Sequence, residues 1–423
     1  MNRFRTTFDY LAHKSVLRAL RHRNYAMVEL IGWFSIAGTW IQRVAMGWLA
    51  WELSHSGAWL GAISLAEAAP AIIFAPLAGV YSDRFDRITV GRAAQIGLMV
   101  VSSVLAVVTI GGWITIWGLF FLNMAMGIVG AFWGPVRLAI VPSLVPREDV
   151  SSAIALHSIL FNVARFVGPA LAAPVIAFWG AGWAFAIDSV SYSAYLFVLL
   201  VITMVNPDKK AAVGGSVWAD TWEGIRYVYD HAALRYIVLL AIVMNVLMRA
   251  YAELFPGIAD AVFSRGAEGL ATLVSVSGAG AMLGAFWVGT VSNPGKLLRG
   301  YFLSLGGIVL FLILFALTQT FWMAVVCAVI LGAALTSTTI SAQVMVQTTV
   351  KGEMRGRTMS LWGLINRSGP GLGALTIGWA SSYVGFQWPL VAAALASAAI
   401  CAYVYVRQGA VKQALIGAHE VPA

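Results

Sequence analysis

Long apolar runs recur along this chain, separated by short polar joints, and that recurrence constrains the fold more than any other feature. Inside a bilayer every backbone N–H and C=O must be satisfied within the protein, so a run of about 20 apolar residues crosses as a helix. Twelve such runs can be placed. Six lie near residues 25–53, 58–81, 90–110, 114–141, 153–178 and 181–205. Six more lie near 236–256, 266–290, 300–318, 321–346, 357–384 and 386–406. A polar interval at residues 206–235, NPDKKAAVGGSVWADTWEGIRYVYDHAALR, separates the two sets. The composition agrees: 60% of residues are hydrophobic and 11% charged, whereas soluble domains run to about half and about a quarter.

Charge sorts the joints into two kinds. Arg84, Arg87 and Arg92, then Arg147, then Lys209, Lys210, Arg226 and Arg235 fall in alternate joints. So do Lys296 and Arg299, and Lys351, Arg355 and Arg357, and both termini are basic or fall on the same side. The intervening joints ELSHSGA, GGWITIW, WGAGW, TQTFW and SSYVGFQW hold no Lys or Arg, and Arg265 alone departs from the pattern. By the positive-inside rule both ends and the central loop are cytoplasmic. The net charge of +9 is therefore read as membrane topology, and so hydrophobic a chain is not expected to bind nucleic acid. The first 23 residues are too polar for a cleaved secretory signal and read as a short surface helix or a charged tail. The expected organisation is an N-terminal segment (1–24), a six-helix bundle (25–205), a central loop (206–235), a second bundle (236–406) and a tail (407–423). Cys327 and Cys401 sit in apolar runs and make neither a disulfide framework nor a zinc spacing, so no metal or cofactor is expected.

The two sets of runs echo each other. ARFVGPALAAP in the fifth run is matched by NRSGPGLGALT in the eleventh, which places Gly168-Pro169 and Gly369-Pro370 201 residues apart. Gly79-x-x-x-Asp83 is echoed 210 residues later by Gly289-x-x-x-Asn293. Two landmarks at nearly one period imply two six-helix halves, a layout shared by many secondary transporters. Pro169 and Pro370 each remove a backbone donor and kink a helix, and the neighbouring Gly residues permit close packing. These four positions are expected to form flexing, closely packed points.

The joint GVYSDRFDR (residues 79–87) resembles the signature loop of the major facilitator superfamily, Gly-x-x-x-Asp-Arg-x-Gly-Arg. Gly79, Asp83, Arg84 and Arg87 match it, and Asp86 stands where the second Gly is usual. Three further stretches are similar to the transmembrane secretion effector branch, which contains siderophore and macrolide efflux proteins. They are WIQRVAMGWLAWELSHS, GPVRLAIVPSLVPREDVSSAIALHSILFNVARFVGPALA and RGRTMSLWGLINRSGPGLGAL. The resemblance spans about residues 20–405. It implies an all-α integral membrane protein of the bacterial cytoplasmic membrane, with twelve transmembrane helices in two six-helix bundles. It also implies that Asp83 latches the cytoplasmic side against the start of the eleventh span, near Thr358 to Ser360, with Arg84 and Arg87 completing an ion network. The plainer reading is that those arginines only enforce topology. In the second half Asn293 replaces the Asp, so a matching latch is not expected there.

Charges within spans are costly and mark function or structure. They are Arg43, Glu67, Arg165, Asp188, Arg249, Glu253 and Arg367. Counting about 1.5 Å per residue puts Arg43 and Glu67 both roughly 15 Å below the outer surface. Arg165 and Asp188 match in depth in the same way, so Glu67 with Arg43 and Asp188 with Arg165 are the proton-coupling candidates. A carboxylate between burial and a cation can bind and release a proton, and the same pair can equally be a permanent bridge. Arg249 and Glu253 stand at i, i+4, which suits a structural pair. Proton-coupled relatives often carry Arg in an Arg-x-x-x-Gly pattern in the fourth span, where this chain has Asn123. Arg367, Asn366, Asn162, Trp33 and Trp40 are the substrate-binding candidates, with Phe132 a further wall residue; for the aromatics, lipid-facing packing is the alternative. His157 reads as a capping or packing histidine, and SGAGAMLGA (277–285) as small-residue helix packing rather than a dinucleotide loop.

These readings point to a secondary active transporter that exports a small amphipathic molecule, drug- or siderophore-like, by proton antiport. Import of a nutrient, siderophore or lysolipid through the same fold is the alternative. No Gly-x-x-x-x-Gly-Lys-Ser/Thr loop and no nucleophile–base motif occur, which argues against direct ATP use and against an enzyme. The expected partners are the small-molecule substrate, protons and the lipid bilayer, and a monomer suffices.

Overall fold

Capping residues in the sequence set where some of the helices begin. The computed structural model describes residues 16–84, 86–202, 217–291, 293–350, 354–407 and 409, excluding the side chains of 16, 71, 75–84, 135, 138, 217–221 and 294. After a 3-10 turn at Val16–Arg21 come α1 (Arg23–Ser54), α2 (Gly57–Arg84), α3 (Arg87–Ile110), α4 (Ile116–Ser143), α5 (Val150–Trp179) and α6 (Ala181–Val201). Then follow α7 (Val217–Asp230), α8 (Ala232–Val243), α9 (Gly266–Gly289), α10 (Pro294–Leu317), α11 (Phe321–Thr349), α12 (Arg355–Val384) and α13 (Gln387–Val406).

Asp86 Oδ2 accepts from the Thr89 N–H at 2.9 Å and so caps α3. Asn293 Oδ1 does the same for α10, accepting from Gly295 and Lys296 at 2.8 and 3.2 Å. Each cap satisfies backbone donors that the first helical turn leaves orphaned. The Asp that displaces the usual second Gly of the signature loop therefore has a local purpose. Asn293 matches Asp86 in role, three residues off the register of the sequence echo. The joints after α5 and α12 also repeat: each turns on a glycine in the left-handed region, Gly180 at φ 86° and Gly385 at φ 75°.

Ten helical segments among the described residues are long and apolar enough to cross a membrane. α1 and α12 lie outside those ten, although spans are expected there. Each is a long helix, of 32 and 30 residues, diluted by polar groups: Glu29, Thr39, Gln42 and Arg43 in one, Arg357, Asn366, Arg367 and Ser368 in the other.

The chain divides into two compact units, residues 1–46 with 69–213, and residues 47–68 with 214–423. In the first, α3 packs between α4 and α6. Its core gathers Tyr25, Val136, Leu144, Ala153 and Leu199, each buried. In the second, α11 pairs with α9 and α10, α10 with α13, and α12 with α7 and α13.

The second unit also contains a helix that changes pitch. After α8 the chain passes through a π turn (Met244–Met248), a 3-10 turn (Ala250–Leu254), a single α turn at Phe255–Gly257 and a second π turn (Ile258–Val262). The span expected at 236–256 therefore runs on to Val262. Pro256, which lacks a backbone donor, sits in the middle of the irregular stretch. The uniform helix assumed for Arg249 and Glu253 is replaced by this change of pitch between them.

Lipid gives helices no hydrophobic reason to pair, so close backbone contact has to supply the attraction. A Cβ on Gly280 would lie 1.9 Å from Val329 O, one on Gly284 2.1 Å from Ala333 O, and one on Gly332 2.1 Å from Ser277 O. The small residues of 277–285 thus form the α9–α11 seam. Gly284→Val should cost about 1–3 kcal/mol through overpacking and lower the thermal midpoint of the purified protein by several degrees. Gly306→Ala, where a Cβ meets nothing within 4 Å, should leave the midpoint in place.

Candidate functional site

In the first unit α1 and α5 cross at a glycine. A Cβ on Gly168 would stand 2.5 Å from Trp40 Cβ and 2.9 Å from Ala37 O. That approach brings together the stripe Glu29, Trp33, Ala37 and Trp40 on α1 and the stripe His157, Phe161, Ala164 and Arg165 on α5. Trp33, Trp40 and Phe161, all partly buried, pack on Ile36, Ala37 and Ala164. Cations then cover the rings: Arg165 lies 5.4 Å and Arg43 5.6 Å from the Trp40 ring, and Arg137 of α4 lies 5.4 Å from Phe161. Contacts of this kind contribute about 0.5–1 kcal/mol when exposed and about 2 when desolvated.

Below this layer lies a polar trio built on a buried carboxylate. Glu29 is 2% exposed. Its Oε1 is 2.9 Å from His157 Nδ1, and His157 Nε2 is 3.3 Å from Arg137 Nη2. His157, read from sequence as a packing or capping residue, links two helices to its own. Neither Glu29 nor Arg137 stands out in the sequence, because both lie near the ends of their spans, where a charge is cheap. The signal available was spacing: Glu29, Trp33 and Ala37 share one face of α1.

Asp188 is fully buried in α6. Ser102 Oγ and Ser191 Oγ donate to its carboxylate at 3.4 and 3.3 Å. Gly38 of α1 faces it, since a Cβ there would meet Asp188 Oδ1 at 2.9 Å. Arg165, matched to it in depth, covers Trp40. Asn162 is exposed and donates to Ser158 O of its own helix. Asn123 is buried.

The first described residues are tied down. Arg18 and His22 both bond the Asp149 carboxylate just before α5, with His22 Nε2 at 2.7 Å from Oδ2. Tyr25 Oη donates to Ala153 O at 2.8 Å. The segment expected as a surface helix or a tail is thus, from Val16, a 3-10 turn docked on α5.

In the second unit Asn366 Oδ1 accepts from Asn245 Nδ2 at 3.4 Å, and a Cβ on Gly369 would stand 2.6 Å from Asn245 Cβ. Gly369-Pro370 therefore meets the pitch-changing helix as Gly168-Pro169 meets α1. Arg367, one residue from Asn366, is exposed. Trp51 Nε1 donates to Asp260 Oδ2 at 2.8 Å, an acid that lies beyond the span expected at 236–256. Glu67 is half-buried on α2 in this unit, and Arg43 belongs to the first unit. The central-loop helix α7 ties to α12 by a 2.8 Å Glu223–Arg357 ion pair. Of the expected latch, Arg87 begins α3, and the side chains of Gly79, Asp83 and Arg84 lie outside the described residues. Thr358 is buried on α12, its hydroxyl without a hydrogen-bond partner among the described residues, and Ser360 Oγ bonds Gly356 O.

Long apolar helices, glycine seams and charge held inside them describe a multi-pass membrane protein, and the family and relatives it matches make it a transporter of the major facilitator type. The fold superposes with a TM-score of 0.74 on the crystal structure of a POT family transporter in complex with a thioalcohol-conjugated peptide. That match covers 92% of this chain and 96% of that one, at 11% identity. The chain belongs to the transmembrane secretion effector family, which matches residues 14–419. It is 23% identical to the staphyloferrin A transporter of Staphylococcus aureus over 77% of this chain and 81% of that one. It is 25% identical to the enterobactin exporter EntS of Shigella boydii over 88% of each chain. The family and these relatives are transporters rather than enzymes.

Asp149→Ala should free the 3-10 turn from α5. Limited trypsin digestion of the purified protein should then cut at Arg18, Arg21 or Arg23 at least several-fold faster than in the wild type, with the rest of the digestion pattern unchanged.

Proposed function

We propose that this protein is a secondary active exporter of a small amphipathic organic molecule, drug- or siderophore-like, coupled to proton antiport. It acts as a monomer in the bacterial cytoplasmic membrane, with both termini and the central loop inside. α1 and α12 cross with the ten more apolar segments, giving twelve spans in two six-helix bundles that alternate in access. Their polar dilution suits helices that line a route for solute rather than face lipid. The observation that carries the export reading is kinship along most of the chain with a protein named as an exporter.

The first unit supports the substrate class. Aromatic rings overlaid by guanidinium groups suit a molecule with an apolar body and an anionic group, and Arg367 with Asn366 offers a matching element in the second unit. Trp33 and Trp40 belong to this wall, and Asn162 flanks it. Glu67 with Arg43, and Asp188 with Arg165, carry the proton exchange. Gly168, Pro169, Gly369 and Pro370 are the points that flex. Gly79, Asp83, Arg84 and Arg87 form the cytoplasmic latch, with Asp83 acting at the start of α12.

Metabolites inside and outside cells lacking or overproducing the protein test the direction. A compound that accumulates inside on deletion and outside on overproduction is the expected result, and the reverse distribution makes this an importer. With that compound as probe, Glu67→Gln should transport independently of the pH gradient; transport that still follows the gradient removes Glu67 from coupling. Asp83→Asn should cut transport about five- to thirtyfold at unchanged membrane abundance, as expected for losing about 1–2 kcal/mol from one conformation.

A further inference from the structure

The trio below the aromatic layer has a defined protonation state, because one of its members can only donate. A guanidinium carries N–H groups and no acceptor. Arg137 Nη2, 3.3 Å from His157 Nε2, must therefore donate to a lone pair on that nitrogen. The imidazole proton is then on Nδ1 and is donated to Glu29 Oε1 at 2.9 Å. His157 sits here as the neutral Nδ1–H tautomer, between a carboxylate on α1 and a cation on α4.

On the imidazole, a second proton has one place to go. It would bind Nε2 and turn an N–H toward the N–H of Arg137, replacing a hydrogen bond by the opposition of two like charges. The Arg137 hydrogen bond to His157 cannot persist in that form, while the Glu29 contact becomes a full ion pair. Among the described residues, the other titratable groups facing the trio are Tyr25 of α1 and Tyr192 and Tyr195 of α6. Phe161 of α5 holds the face of the Arg137 guanidinium.

We propose that His157, held between Glu29 and Arg137, is a proton-binding site whose occupancy breaks the Arg137–His157 hydrogen bond between α4 and α5 while it tightens α5 to α1. The step balances simply: a proton from water forms the Nε2–H bond, the hydrogen bond from Arg137 is lost, and Arg137 and Glu29 keep their charges. Proton loading and helix packing in this unit become one event. The inference rests on the proton-coupled reading above for its place in transport.

The test uses the whole chain in lipid nanodiscs, labelled with 15N at histidine and arginine, without substrate or gradient. The chain has six histidines, and His157→Gln assigns the resonance by its loss. If that variant does not fold, replacing the other five histidines leaves His157 alone in the spectrum. The expected result at alkaline pH is the Nδ1–H tautomer. Stepwise acidification across a pH series should protonate Nε2, giving the ring a second N–H. The Arg137 side-chain signals should shift over the same range, and that shift should be lost in His157→Gln. An Nε2–H tautomer, a ring that stays singly protonated throughout, or Arg137 signals that ignore the His157 titration would each overturn the proposal. Because the spectrum needs neither solute nor gradient, a chain that failed the metabolite test would still return one answer or the other.

Discussion

The rest of this structure depends on backbones being able to touch. In water, helices pair because apolar side chains leave solvent; in lipid that incentive vanishes, and dispersion at short range has to take its place. Gly168 against Ala37 and Trp40, Gly284 against Ala333, and Gly373 against Val246 O, where a Cβ would stand only 1.7 Å away, are the places where it does. Each removes a side chain so that two helices can close. The functional groups are consequences of that closeness. Trp40 reaches Arg165, and Glu29 reaches His157, because α5 lies against α1 at Gly168.

Charge in the interior follows a consistent rule. Asp188 is held by serine hydroxyls, Asp260 by the Trp51 indole, and Glu29 by an imidazole that is itself held by Arg137. Desolvating a carboxylate costs several kcal/mol unless donors meet it, and in these three places donors do. The cations are more weakly hydrated guanidiniums laid on aromatic faces, an arrangement that suits Arg better than Lys.

Much of the architecture is legible in the sequence because a bilayer sets a length scale. Runs near 20 residues and the alternation of Lys and Arg between joints are crude signals that survive without any knowledge of packing. The glycine-proline echo at 168 and 369 is legible too, and both sites pack against the neighbouring helix as their composition suggests. What escaped depends on three-dimensional neighbours. Asp86 and Asn293 play the same capping part, which a match of letters placed three residues out of register. Glu29 and Arg137 looked like ordinary charges at helix ends, and only their shared contact with His157 sets them apart. In the signature joint, the clearest motif in the chain, the side chains of Gly79, Asp83 and Arg84 lie outside the described residues, while Asp86 shows its part as the α3 cap.

The change of pitch between Met244 and Val262 has a mechanical meaning. A uniform helix is a stiff rod, and a push at one end arrives at the other. Two wide turns on either side of a tight one interrupt the ladder of backbone bonds that gives a rod its stiffness. The stretch ending at Val243 and the stretch carrying Asp260 are therefore jointed rather than continuous. Each can follow its own neighbours, Asn366 and Gly369 at one end and Trp51 at the other, without dragging its counterpart along.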